Sequence, residues 1–178
     1  MGIQIIGRGG FAREVASYLE DSYTMYEHEC EGIQTGIGTV IAIGDGHVRK
    51  KIAEKFNTLI WACIDFPRRN FDNKIGKGTI ICPGTIITVA VTIGCHVIIN
   101  LNCTVGHDCK IGDFVTISPG ANISGNVTIG DLCYIGTNAV IRDKINICAG
   151  VTIGAGGVVV KDISEPGVYV GNPVKKIG

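Results

Sequence analysis

From Ile75 onward the hydrophobic pattern repeats every six residues without a break, with an Ile or Val at each sixth position through Val159. Two residues before each of these, from the second repeat on, stands a small or β-branched residue, as in Thr79, Val91, Cys103, Ala121 and Val151. Glycine often follows the aliphatic, as at Gly76, Gly94, Gly106, Gly112, Gly130, Gly136 and Gly154. A period of six matches neither the alternation of a lone strand nor the 3.6-residue turn of a helix. One short strand and one corner per hexapeptide satisfy it, three hexapeptides closing a triangular coil of 18 residues. The fifteen hexapeptides then make five coils of a prism over residues 75–164. The aliphatics point inward and stack from coil to coil. Gly and Asn serve the corners, where backbone angles barred to most residues are needed.

Ahead of the repeat the pattern changes. Ile3-Gln4-Ile5-Ile6 reads as a buried strand, followed by the turn Gly7-Arg8-Gly9-Gly10 and a helix from Ala12 to Glu20 with Val15, Ala16 and Leu19 on one face. Thr39 to Ile43 reads as a second buried strand, ending in Gly44-Asp45-Gly46 and leading into a helix over His47 to Phe56; Leu59 to Ala62 adds a last strand. Two such strand–helix units side by side predict a small parallel sheet with a crevice at its carboxyl ends. There, glycine backbone and helix N-termini suit a phosphate. Taken alone, Gly7-Arg8-Gly9-Gly10-Phe11-Ala12 is a weak fingerprint, because Ala12 replaces the third glycine and a plain strand–turn–helix explains it as well. The resulting division is 1–62 for the α/β domain, 63–74 for a linker, 75–164 for the prism and 165–178 for a tail.

Composition narrows the partners. The 16 basic and 16 acidic residues balance, so neither a nucleic acid nor an anionic membrane is expected. Charged residues are only 18% of the chain and glycines number 26, which suits a repetitive β structure with an Ile- and Val-rich core. Residues 78–107 carry no Asp, Glu, Lys or Arg, yet Pro83, the glycines and the six-residue period argue against a membrane span. Residues 1–7 have no basic segment leading into a long apolar run, so no signal peptide and a cytoplasmic protein are expected. The eight cysteines form no C-x-x-C pair and read as reduced thiols; Cys103, Cys109 and Cys133 fall at the inward small-residue position.

The segment Gly7 to Glu14, the run Ala42-Ile43-Gly44-Asp45, the basic Arg49-Lys50-Lys51, the hexapeptides and the closing Gly171-Asn172-Pro173-Val174-Lys175 together resemble one family. It is that of the sialic-acid O-acetyltransferases and nucleotide-aminosugar N-acetyltransferases, and the resemblance covers nearly the whole chain. It implies a small α/β Rossmann-like N-terminal domain followed by a left-handed parallel β-helix of about five coils. The left hand comes from the resemblance, since left-handed crossovers are rare among parallel strands. It also implies a homotrimer with parallel prisms, acetyl-CoA as co-substrate, no metal, and a nucleotide-sugar bound by Gly7, Arg8, Gly9, Gly10, Ile43, Gly44 and Asp45. The chain departs from the family between Glu20 and Val40, where it is shorter and Tyr26-Glu27-His28-Glu29 replaces the usual acidic pair.

Acetyl transfer needs a base, and histidine titrates in the right range. His107 precedes Asp108, a carboxylate able to orient its ring; an arbitrary His-Asp pair at a corner is more often merely solvated. The family reads H-[DE] here, which implies His107 as general base, Asp108 as its partner, Asn100 as a base- or substrate-holding residue, and Thr116 where many relatives carry a second histidine on the acetyl carbonyl. Gly125 lies 18 residues, one coil, beyond His107, so its N–H is a candidate oxyanion donor. For CoA the resemblance implies the turns at Gly136, Gly154 and Ala155 and the tail residues Asn172, Pro173 and Lys175. A three-histidine zinc site of the carbonic-anhydrase type fits poorly, because only His96 and His107 lie in the repeats and their spacing sends them to different faces. A non-catalytic binding module is the other class to weigh. Amine and hydroxyl acceptors are not separable from these residues. An amine, specifically a 4-amino-4,6-dideoxy sugar on UDP, GDP or dTDP in bacterial surface glycan synthesis, is preferred because it gives a nucleotide-binding domain a purpose.

Overall fold

The computed structural model describes residues 2–19, 23–27, 32–56, 64–65 and 72–177, the pair 64–65 by backbone alone. Strand β1 (Ile3–Ile6) leads to helix α1 (Gly10–Ser17), strand β2 (Tyr23–Tyr26), strand β3 (Thr39–Ile41) and helix α2 (Gly46–Lys55). The three strands pair in parallel in the order β2-β1-β3, so β1 is central and the chain reverses its winding at β1. Alternation along β1 and β3 sets the two layers. Ile5 and Val40 face α1, while Ile6 and Ile41 face Ile52 and Ala53 of α2. The expected strand at 59–62 and the residues His28 and Glu29 lie outside the described residues.

The six-residue period becomes three parallel sheets of two-residue strands stacked with a rise of 18 residues, the arrangement of a left-handed β-helix. The first face carries Ile80–Ile81, Ile98–Ile99, Thr116–Ile117, Tyr134–Ile135 and Val151–Ile153. The second carries Ile86–Ile87, Thr104–Val105, Asn122–Ile123, Val140–Ile141 and Val158–Val159, and the third Lys74–Ile75, Thr92–Ile93, Lys110–Ile111, Thr128–Ile129 and Asn146–Ile147. The second residue of each strand and the small residue two before it fill one continuous core from Ile81 to Ile163. Each fully buried Ile contributes roughly 1.5–3 kcal/mol against the conformational entropy of ordering so many corners.

The corners obey two rules where the sequence suggested one. Positive φ recurs every sixth residue, and it falls on Asn102, Asp108, Asn126 and Asn138 as well as on Gly78, Gly84, Gly120 and Gly150. The glycines that follow the aliphatics are there for a different reason, close approach of the next coil. A Cβ on Gly106 would lie 2.6 Å from the Gly125 nitrogen, and one on Gly136 would lie 2.6 Å from that of Ala155.

Strand β4 (Ile64–Asp65), in the stretch expected as linker, pairs in parallel with Ile80–Ile81 and extends the first face below the repeat. At the other end the tail folds into a hairpin. Gly167–Gly171 joins Val151–Ile153 in parallel, and Val174–Ile177 returns antiparallel to it. The α/β domain sits on the outer side of the first face. Ala12, Val15 and Ala16 of α1 pack on Ile80, Cys82 and Ile98, burying the outward aliphatics that would otherwise meet water. No helix among the described residues is long and apolar enough to cross a membrane.

Candidate active site

His107 and Asp108 occupy the corner between the second and third faces. Asp108 takes the positive-φ position at +60°, which aspartate tolerates, and its N–H donates to Val89 O at 3.1 Å. The corner is tied upward by Asn126 N–H donating to His107 O at 2.8 Å. His107 Nδ1 and Asp108 Oδ2 lie 2.7 Å apart, with the two side chains 57% and 55% exposed. With Nδ1–H donating to the carboxylate, Nε2 carries the free lone pair. Gly125, one coil above, lies under the ring: a Cβ there would be 2.5 Å from Nε2 and 2.7 Å from Cε1. The structure therefore brings His107, Asp108 and Gly125 together.

It does not bring Asn100 or Thr116 to that corner in the same chain. Asn100 follows the first-face strand Ile98–Ile99 and stands at the corner between the first and second faces, its Oδ1 accepting from Leu101 N–H at 2.8 Å. Gly136, Gly154 and Ala155 climb that same corner in later coils. The hairpin closes over it, since a Cβ on Gly154 would lie 2.8 Å from Val170 Cγ1. Pro173 and Lys175 line a cavity of about 230 Å³ with Val160, Ile163, Tyr169 and Val174, and exposed Asn172 turns the hairpin. Lys176 is held at 3.0 Å by Glu165, which leaves Lys175 as the solvated cation of the pair.

Thr116 lies on the first face, opposite the His107 corner, and is buried beneath the α/β domain. Its hydroxyl donates to Gly44 O at 2.8 Å and accepts from Arg49 Nη2 at 2.9 Å. The prism turns Thr116 and His107 to opposite sides, so they can meet only between two chains.

In the α/β domain the phosphate-suited turn is formed. Gly7 has φ +126°, and a Cβ there would sit 2.8 Å from Ala42 O, so this turn admits only glycine. Gly9 caps α1 without a side chain, and space above Gly9 and Gly10 is open. Arg8 reaches toward Glu27 at 3.6 Å in solvent. On the neighbouring strand, Ile43 and Gly44 lead to Asp45, whose Oδ1 accepts from His47 N–H and Val48 N–H and caps α2. Both helices start at the carboxyl edge of the sheet.

Two features escaped the sequence reading. A cleft of about 470 Å³ opens between the domains, lined by Gly44, Asp45, His47, Thr116, Tyr134 and Thr152 among others. Arg49 is 1% exposed and bonded into the prism, although in sequence it is only the first residue of the basic run Arg49-Lys50-Lys51. Its place on the stripe of Ile52, Ala53 and Phe56 was the available signal. His96 stacks on Phe114 at 5.2 Å, and burial, with Arg49 and Lys77 nearby, pushes its pKa down to about 4. It faces the α/β domain, well away from exposed His107.

The chain is similar to several known proteins. The family described as bacterial transferase hexapeptide (six repeats) matches residues 108–143. The GDP-perosamine N-acetyltransferase of Escherichia coli O157:H7 is 35% identical over 89 residues, 48% of this chain and 40% of that curated relative. The structure of PerB from Caulobacter crescentus with CoA and GDP-perosamine superimposes with a TM-score of 0.91 at 26% identity, over 100% of this chain and 98% of that one. The acetyltransferase domain of PglB from Neisseria gonorrhoeae, in complex with acetyl coenzyme A, does so with a TM-score of 0.87 at 28% identity, over 99% and 98%.

Proposed function

Taking the chain as a hexapeptide-repeat protein related to the nucleotide-aminosugar N-acetyltransferases, we propose that it transfers the acetyl group of acetyl-CoA to the amine of a nucleotide-linked 4-amino-4,6-dideoxy sugar. The observation that carries this reading is the His107–Asp108 pair at 2.7 Å with Gly125 beneath the ring, which leaves Nε2 as an accessible base. As the neutral amine attacks the thioester carbonyl, Nε2 takes its proton, and Asp108 stabilises the imidazolium. The Gly125 N–H is the donor assigned to the tetrahedral oxyanion. Collapse expels the CoA thiolate, which recovers the proton from His107. The products are the acetamido sugar and CoA.

One chain holds only half of such a site. The second-face strands present Ile86, Thr104, Asn122, Val140 and Val158 outward with no charge among them, whereas the third face presents Lys74 and Lys110. Ile86 is 61% exposed. Burying this face in a homotrimer of parallel prisms would set the His107 corner of one subunit against a neighbour's corner bearing Asn100, Gly136, Gly154 and Ala155. CoA would run along that groove toward Asn172, Pro173 and Lys175. The nucleotide-sugar would lie across Gly7–Gly10 and Ile43–Asp45, with its sugar entering the cleft between the domains.

The test is thiol release from acetyl-CoA with GDP-, UDP- and dTDP-linked 4-amino sugars, GDP-linked first because two of the matched proteins carry GDP-perosamine in name or bound. Release with one donor–acceptor pair, abolished in His107→Ala, is expected. Release surviving His107→Ala overturns the base. Silence across the panel, with CoA still bound, moves the reading to a hydroxyl acceptor; silence without CoA binding moves it to a binding module.

A further inference from the structure

One part of the contact between the two domains is apolar: Ala12, Val15 and Ala16 against Ile80, Cys82 and Ile98. Such burial is non-directional and does not by itself fix how the α/β domain is turned on the prism. One group supplies the direction. Arg49 Nε donates to His96 O at 3.0 Å, and Nη2 donates to Phe114 O at 2.9 Å, Val115 O at 3.1 Å and Thr116 Oγ1 at 2.9 Å, all on the prism. Nη1 donates to Ile43 O at 2.7 Å and Gly44 O at 2.9 Å in its own domain. Thr116 closes the ring by donating to the same Gly44 oxygen. Gly46 is equally close, since a Cβ there would lie 2.5 Å from Phe114 O.

Every one of these acceptors is neutral. Burial lowers the Arg49 pKa to about 10, with only the field of Asp45 opposing it, so the guanidinium stays charged at neutral pH. A buried cation bonded to neutral oxygens alone is a poor device for plain stability, because desolvation offsets much of what the bonds return. It is a good device for orientation, since a planar fork accepts one arrangement of oxygens.

We propose that Arg49 is a positioning residue that holds the Gly44–His47 segment in register with the prism and thereby sets the acceptor-sugar side of the interdomain cleft. This rests on the proposed transfer to a nucleotide-sugar. The cleft has Gly44, Asp45, Gly46 and His47 on one wall and Thr116, Tyr134 and Thr152 on the other. Arg49 is bonded to both walls at once, beside the direct Thr116–Gly44 bond. The residues assigned to CoA lie on another corner and are untouched by it.

The variants are Arg49→Lys, which keeps charge and length but not the fork, and Thr116→Val, which removes the two hydroxyl bonds to Arg49 and Gly44 and leaves the other Arg49 bonds. Amide exchange of residues 43–48 is expected to accelerate in both, with the prism amides unchanged. In the active enzyme, the KM for the nucleotide-sugar should rise on the order of tenfold in Arg49→Lys and less in Thr116→Val, with the KM for acetyl-CoA within about twofold. Loss of thermal stability or kcat with both KM values unchanged would mark a merely structural residue and overturn the proposal. So would unchanged exchange at 43–48. If the unsubstituted protein turns over no nucleotide-sugar, the functional reading fails, and the exchange data still decide whether Arg49 holds the segment.

Discussion

Replacing Gly125 by alanine puts a methyl group where the His107 imidazole now lies. The added carbon would sit 2.5 Å from Nε2, 2.7 Å from Cε1 and 3.0 Å from Cδ2. Ordinary contact begins near about 3.5 Å, so the ring must retreat by about 1 Å. The Gly125 backbone is outside the left-handed region, so alanine brings no torsional strain. The His107 side chain is 57% exposed and has room to swing. The stability loss should therefore stay under about 1 kcal/mol, as for other surface substitutions. Activity is another matter: a base displaced by that distance loses on the order of 100-fold in kcat/KM. The assay is thiol release with the nucleotide-sugar identified by the panel, run beside thermal unfolding and His107→Ala. A Gly125→Ala protein that keeps kcat/KM within about threefold of the parent, while His107→Ala is inactive, would refute the geometry. A variant that fails to fold would refute the steric reasoning, because it would show that the corner needs glycine for itself.

Asp108→Asn should lower kcat by about tenfold or more with little change in either KM, because the amide no longer stabilises the imidazolium; equal losses in KM would point to substrate contact instead. His96 has a folded pKa of about 4, below the unfolded value near 6.5, so the unfolded chain binds the proton first as pH falls. Its share of stability is whole above about pH 6.5 and declines toward pH 4 by up to about 3 kcal/mol; Arg49 and Lys77 deepen the shift and Asp113 opposes it. Urea midpoints at about pH 7 and about pH 4.5 should differ less in His96→Asn than in the parent, and an equal drop would remove His96 as the cause. If the chain forms the proposed trimer through its second face, Ile86→Asp should leave only monomers in analytical ultracentrifugation with the monomer's fold intact, because Ile86 faces outward at 61% exposure; an unchanged assembly would place the interface on another face.

The prism is legible in the repeat alone. A six-residue period needs only local facts, an inward aliphatic and a turn every sixth residue, and the same facts recur in each coil, so Ile81, Ile99, Ile117 and Ile135 stack however the rest of the chain folds. The same arithmetic placed Gly125 one coil from His107, and the pair is in contact in the structure. The two strand–helix units were legible for similar reasons, with Asp45 capping α2 and Gly7 ending β1. Whatever depends on docking one pattern against the other is written in neither pattern. Thr116 carries no mark of being covered, yet the α/β domain buries it against Gly44, 72 positions away. Arg49 is written like the lysines that follow it, yet its bonds reach His96 and Thr116, 47 and 67 positions off. Ile64–Asp65 gained a strand partner outside the period by the same means. A repeat specifies its own neighbours through identical spacing, whereas the register between two unlike surfaces is chosen by shape and hydrogen-bond geometry that no short stretch of chain contains.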